Sequence, residues 1–247
     1  MSAVAIFKQS LTFYGRLFNK VFWLSVASSI MPLLMLGLSG NVQQPSFATL
    51  LLVVAVSMFF SVYLMSFIHQ FSTEQDDSLQ AAFGLTLKKF FPVTATAVVF
   101  GLAVMLVAMP AAVIGTALGA GIEDEKIRNL FIAVVMMIPL AWVMYRWFFA
   151  PYHTLVQGLN PVDAIKQSNK QVKGNKLVFR GFTLLSVVMA LYIFVLVVLK
   201  LMIAVNPMAL AVAEFALNVI AMPFFSIYIY RLYDVTKRSS ESDSEEL

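Results

Sequence analysis

The sequence predicts an all-α membrane protein: six transmembrane helices, with amphipathic interfacial helices leading into alternate spans and a threefold helix-plus-hairpin repeat. Three observations carry this. Of 247 residues, 60% are hydrophobic and only 12% charged, against about 25% charged in soluble domains, and the mean hydropathy is +0.85. Six apolar runs approach the roughly 20 residues that cross a bilayer. Lysine and arginine gather on one side of those runs, the pattern that orients membrane proteins.

Taken in order, the first twenty residues carry Lys8, Arg16 and Lys20 in an amphipathic stretch. They read as a cytoplasmic lead-in rather than a cleavable signal. The spans follow at about 21–38, 48–68, 91–118, 130–149, 177–205 and 208–233, giving a membrane domain over 1–236. Lipid offers backbone groups no hydrogen-bond partners, so runs of this length are helices rather than barrel strands. Residues 237–247, rich in serine and acid, read as a disordered cytoplasmic tail.

With the N-terminus inside, fourteen of the seventeen basic residues lie in or beside cytoplasmic segments, leaving only Lys126, Arg128 and Lys200 outside. Both termini are therefore expected in the cytoplasm. The outer loops are 39–47, 119–129 and the Asn206-Pro207 turn. The basic pI of 9.3 belongs to this orientation signal rather than to nucleic-acid binding.

The longest polar interruption, 152–176, holds the best-defined lead-in. Asn160-Pro161-Val162-Asp163 has a cap, a first-turn proline and an acid suited to the helix dipole. Gly174 is a natural stop. Lys166, Lys170 and Lys173 share one helical face, and Ala164, Ile165, Ser168 and Val172 another. Such a helix lies at the interface, with Lys166, Lys170, Lys173 and nearby Lys176 reaching anionic headgroups. Ala5-Ile6-Phe7-Lys8-Gln9-Ser10 echoes Ala164-Ile165-Lys166-Gln167-Ser168, and a third lead-in follows Asp77-Ser78-Leu79-Gln80, which has capping-box spacing with Asp77 as cap.

Candidates for chemistry are few. Lys200 and Glu214 flank the last outer turn. They fit an ion pair stapling the hairpin, the favoured reading, or two snorkelling charges, or a substrate or proton site. His69 and His153 lack ligand-spaced partners and read as interface histidines; Glu123-Asp124-Glu125 reads as a solvated loop. Gly115 and Gly119, and Ser25 and Ser29, have the small-residue spacing of close helix packing. Pro32, Pro110, Pro139 and Pro223 fall inside spans, where proline bends helices and transporters build broken ones. There is no cysteine, and no phosphate-binding glycine loop, nucleophile elbow or carboxylate pair. No catalytic residue, metal or cofactor is expected.

The run from Ala150-Pro151 through NPVDAIKQSNKQVKGN, with Ala164, Ser168 and Gly174-Asn175 in place, resembles the YciC-like group of uncharacterised bacterial inner-membrane proteins. It is also similar to the membrane domain attached to some glycerophosphodiester phosphodiesterases, and Tyr230-Arg231-Leu232-Tyr233 is similar to the group's last-span ending. The resemblance implies a helical bundle in a Gram-negative inner membrane and brings no site residues. The phosphodiesterase domain itself is absent from this sequence. The expected function is non-enzymatic: lipid binding or scaffolding in envelope homeostasis, with phospholipids, other membrane proteins or a second copy as partners. The alternative is a small transporter or permease component for a hydrophobic or amphipathic substrate.

Overall fold

The computed structural model describes residues 2–38, 46–74, 78–202 and 207–245; for 32–38, 74, 207, 208, 211 and 240–245 it describes the backbone alone. The described residues form eight helices and no strand: α1 (Ala3–Leu38), α2 (Phe47–Glu74), α3 (Leu79–Gly119), α4 (Glu125–Trp147), α5 (Ala150–Gln157), α6 (Pro161–Val172), α7 (Lys176–Met202) and α8 (Pro207–Glu245). Five stretches are long and apolar enough to cross a membrane: α2, α3, α4 with α5, α7 and the part of α8 over Val212–Ser239. α1, which contains the first expected span, is not among them. The side chains of its residues 32–38 lie outside the described residues.

The chain divides into two compact units, Met1–Phe90 with Asn175–Leu247, and Phe91–Gly174. In the first unit α1 packs along α8 and α2. Leu17, Val21 and Leu24 of α1 meet Phe67 of α2 and Ala82 of α3, rimmed by Phe13, Tyr63 and Phe71. Phe7 sits edge-on to Phe224 and Tyr228, and Tyr14 donates from its hydroxyl to the Ile220 carbonyl at 2.9 Å. α7 and α8 approach closely at Gly181, where an added Cβ would fall 2.7 Å from the Leu232 side chain. The Tyr228 hydroxyl donates to the Gly181 carbonyl at that crossing.

In the second unit the Gly115 and Gly119 spacing is used within the chain. A Cβ on Gly115 would stand 3.3 Å from Ile132 of α4, and one on Gly119 would meet Arg128 at 3.4 Å. Small residues thus let the α3 and α4 backbones close up. Asp124 caps α4 by accepting from the Lys126 and Ile127 amides, so one acid of the Glu123-Asp124-Glu125 triplet has a structural task. Thr96 of α3 and Thr154 of α5 share a buried hydroxyl–hydroxyl bond of 2.8 Å.

The lead-ins differ from expectation. Only α6 is a separate helix; those of α1 and α3 run without a break into the helix that follows. Nothing in 14–22 or 84–91 interrupts backbone bonding, and Pro92 and Pro110 are carried inside α3, as membrane helices allow where neighbours compensate. The cap of α3 is Ser78, whose hydroxyl accepts from the Ala81 amide; Asp77 lies outside the described residues. The tail also departs from expectation: α8 continues as helix to Glu245. Residues 234–245 contain no proline or glycine, and an Asp234–Arg238 pair at helical spacing braces that end.

Each lead-in nonetheless hides the same two positions four residues apart. Ile6 and Ser10, Ala82 and Thr86, and Ala164 and Ser168 are all fully buried. These positions are covered by protein, while apolar neighbours such as Val4, Leu11, Phe83, Leu87 and Val162 are exposed.

Candidate functional site

The polar chemistry of the first unit concentrates where α2 ends, α3 begins and α8 passes. His69 is half-buried, with Nδ1 2.9 Å from the Tyr230 hydroxyl. Tyr230 also lies beside Tyr233. Asp234 holds Arg238 at 3.0 Å. Arg231 reaches Gln9 of α1 and stands over the Phe13 ring. The Tyr230 hydroxyl thereby orients the imidazole.

Next to this layer is a half-open cleft of about 320 Å³. Helix α2 supplies His69, Gln70 and Thr73; α3 supplies Ala81, Gly84, Leu85 and Lys88. These positions repeat every three or four residues on each helix, so one face of α2 confronts one face of α3. Thr73 donates to the His69 carbonyl, which fixes its own rotamer at the rim.

In the second unit α6 is clamped on one side. The Ser168 hydroxyl donates to the Arg146 carbonyl of α4 at 2.9 Å, and the Arg146 guanidinium donates to Asn169 at 2.8 Å. Ala164, Ser168 and Val172 are buried while Lys166, Lys170 and Lys173 are exposed. Asn160 accepts from the Asp163 amide and donates to its carboxylate, closing the first turn as the sequence predicts. Gly174, at φ +76°, ends this segment. Asn175 then caps α7 through the Leu177 and Val178 amides, and Lys176 opens α7 exposed.

In the α7–α8 hairpin, Lys200 Nζ lies 3.3 Å from Glu214 Oε1, their side chains 60% and 33% exposed. The polar line continues inward: the Asn218 amide donates to the Glu214 carbonyl, and the Tyr192 hydroxyl donates to Asn218 Oδ1. Ser25 is buried and Ser29 half-buried in α1.

His153 is buried in α5 with Nδ1 3.1 Å from Gln157 Oε1. No group of three or more acids and histidines among the described residues could hold a metal ion. His69 belongs to the first unit and His153 to the second. Sequence reasoning missed the cleft and the Tyr192–Asn218 link. The spacing of His69, Gln70 and Thr73 against Ala81, Gly84 and Lys88 was the available signal for the cleft. Compared with protein-family models, curated proteins and solved structures, the chain gives no match.

Proposed function

We propose that this is a non-enzymatic protein of a bacterial inner membrane, with both termini cytoplasmic, that binds phospholipid headgroups and serves membrane homeostasis. The observation that carries this reading is α6. Its small, buried face is bolted to α4, so Lys166, Lys170 and Lys173 are held outward together, with Lys176 following after the turn. Among the described residues, only Lys166 of these has an acid within reach, Asp163 at 3.6 Å and exposed, a contact worth little in water. A preorganised row of ammonium groups beside apolar helices suits an anionic membrane surface, at about 1 kcal/mol per basic residue. Basic residues gathered on one side of the spans support the orientation. The buried pairs at 6 and 10, 82 and 86, and 164 and 168 support a threefold repeat of lead-in and hairpin. The first span, over 21–38, completes six.

The test is vesicle binding and topology of the full chain with Lys166, Lys170 and Lys173 replaced by glutamate. Affinity for anionic vesicles is expected to fall at least tenfold with insertion intact. Unchanged affinity would sink the reading. The rival transporter reading draws on the Tyr192–Asn218–Glu214–Lys200 line. Substrate flux in proteoliposomes that disappears on Glu214→Gln would favour it.

A further inference from the structure

Gly84 needs an explanation that packing does not provide. It sits inside α3, where glycine weakens a helix relative to alanine, yet a Cβ there would meet no atom within 4 Å. Its lack of a side chain opens space, and that space is the cleft between α2 and α3. Ala81, one turn earlier on the same face, is likewise small. Lys88, one turn later, brings a cation to the wall, and no described acid lies within salt-bridge reach of it. Opposite stand the Gln70 amide and the His69 ring, the latter oriented by Tyr230.

We infer that this cleft is a binding site for a phosphate group, carried either by a lipid headgroup or by a small soluble molecule. A volume of about 320 Å³ is at the small end of ligand pockets. It admits a phosphorylated headgroup and leaves acyl chains outside, beside Leu85. The Lys88 ammonium supplies the charge as a point donor, the usual way lysine meets phosphate. In its lipid form the inference rests on the lipid-binding reading above, but it uses a different part of the chain from α6.

The experiment titrates the full chain in phosphatidylcholine nanodiscs with dioctanoyl phosphatidic acid and, separately, with inorganic phosphate, read by calorimetry. Saturable binding near one per chain is expected. Gly84→Leu, which fills the cleft, and Lys88→Met, which keeps the stem and removes the charge, each weaken it at least tenfold. Lys89→Met, a half-buried neighbour that does not line the cleft, leaves it unchanged. Loss confined to phosphatidic acid assigns the site to a headgroup, and the same loss with inorganic phosphate assigns it to a soluble phosphate. Equal affinity in Gly84→Leu and Lys88→Met, or no saturable binding of either probe, overturns the inference. If the α6 lysine variant alone loses vesicle binding, the lipid-binding reading stands and the cleft assignment falls.

Discussion

The start of α1 and the whole of α6 bury the same pattern and are built into the chain in opposite ways. Ile6 and Ser10 lie on a helix that continues to Leu38, whereas Ala164 and Ser168 lie on a helix that stops at Val172. The fused lead-in is held by helix continuity, and its Ser10 hydroxyl bonds back to the Ile6 carbonyl of its own turn. The detached lead-in is held by side chains, and its Ser168 hydroxyl crosses to the α4 backbone. One amphipathic code thus serves as the root of a long helix or as a separate plate. The two residues Gly174-Asn175 decide which.

The strongest way to break the comparison is to put a stop where there is none. Arg16→Pro removes an α1 backbone bond and clashes with the Thr12 carbonyl, at a cost of about 3 kcal/mol or more. Thermal unfolding in detergent is expected to show a large fall in Tm; an unchanged Tm would mean that α1 gains nothing from continuity. The reverse change, Gly174→Ala with Asn175→Ala, forces a Cβ into the left-handed region and deletes a cap. Together these cost about 2–3 kcal/mol. The expected readout is faster protease cleavage between α6 and α7, with the α1 region unaffected.

The finest test compares two serines. Ser168→Ala takes away the hydroxyl that donates to the Arg146 carbonyl and is expected to cost about 1 kcal/mol, seen as increased hydrogen exchange across α6. Ser10→Ala removes only a bond within its own helix and is expected to change exchange in α1 by a few tenths of a kcal/mol. Equal effects would remove the distinction between a rooted lead-in and a docked one.

What was legible in the sequence follows from the range of each interaction. The limits of α6 were readable because Asn160, Pro161, Asp163 and Gly174 act on their own neighbours. The proximity of Lys200 and Glu214 was readable because counting from Asn206 puts both near the same end of two consecutive helices. The continuity of α1 and α3 was not, because a charged lead-in resembles a loop when no breaker marks where a helix must end. The His69–Tyr230 bond joins residues 161 apart in sequence, and no local pattern encodes such a meeting. The helix at 234–245 was missed because its composition resembles disorder, while its Asp234–Arg238 pair has helical spacing. Within the candidate site, the charges were visible from the start. The cavity beside them depends on how one face of α3 meets α2, and only coordinates show that.

The Lys200–Glu214 contact has a consequence for biogenesis. Emerging from the ribosome, α7 carries a lysine near its end before its partner exists. A charge at a helix centre costs about 2.5–3.5 kcal/mol on the insertion scale, and less toward the interface. Once Glu214 arrives, the two charges neutralise one another at 3.3 Å. The translocation machinery therefore handles a cheaper cargo if it releases α7 and α8 together than if it passes them into lipid one at a time.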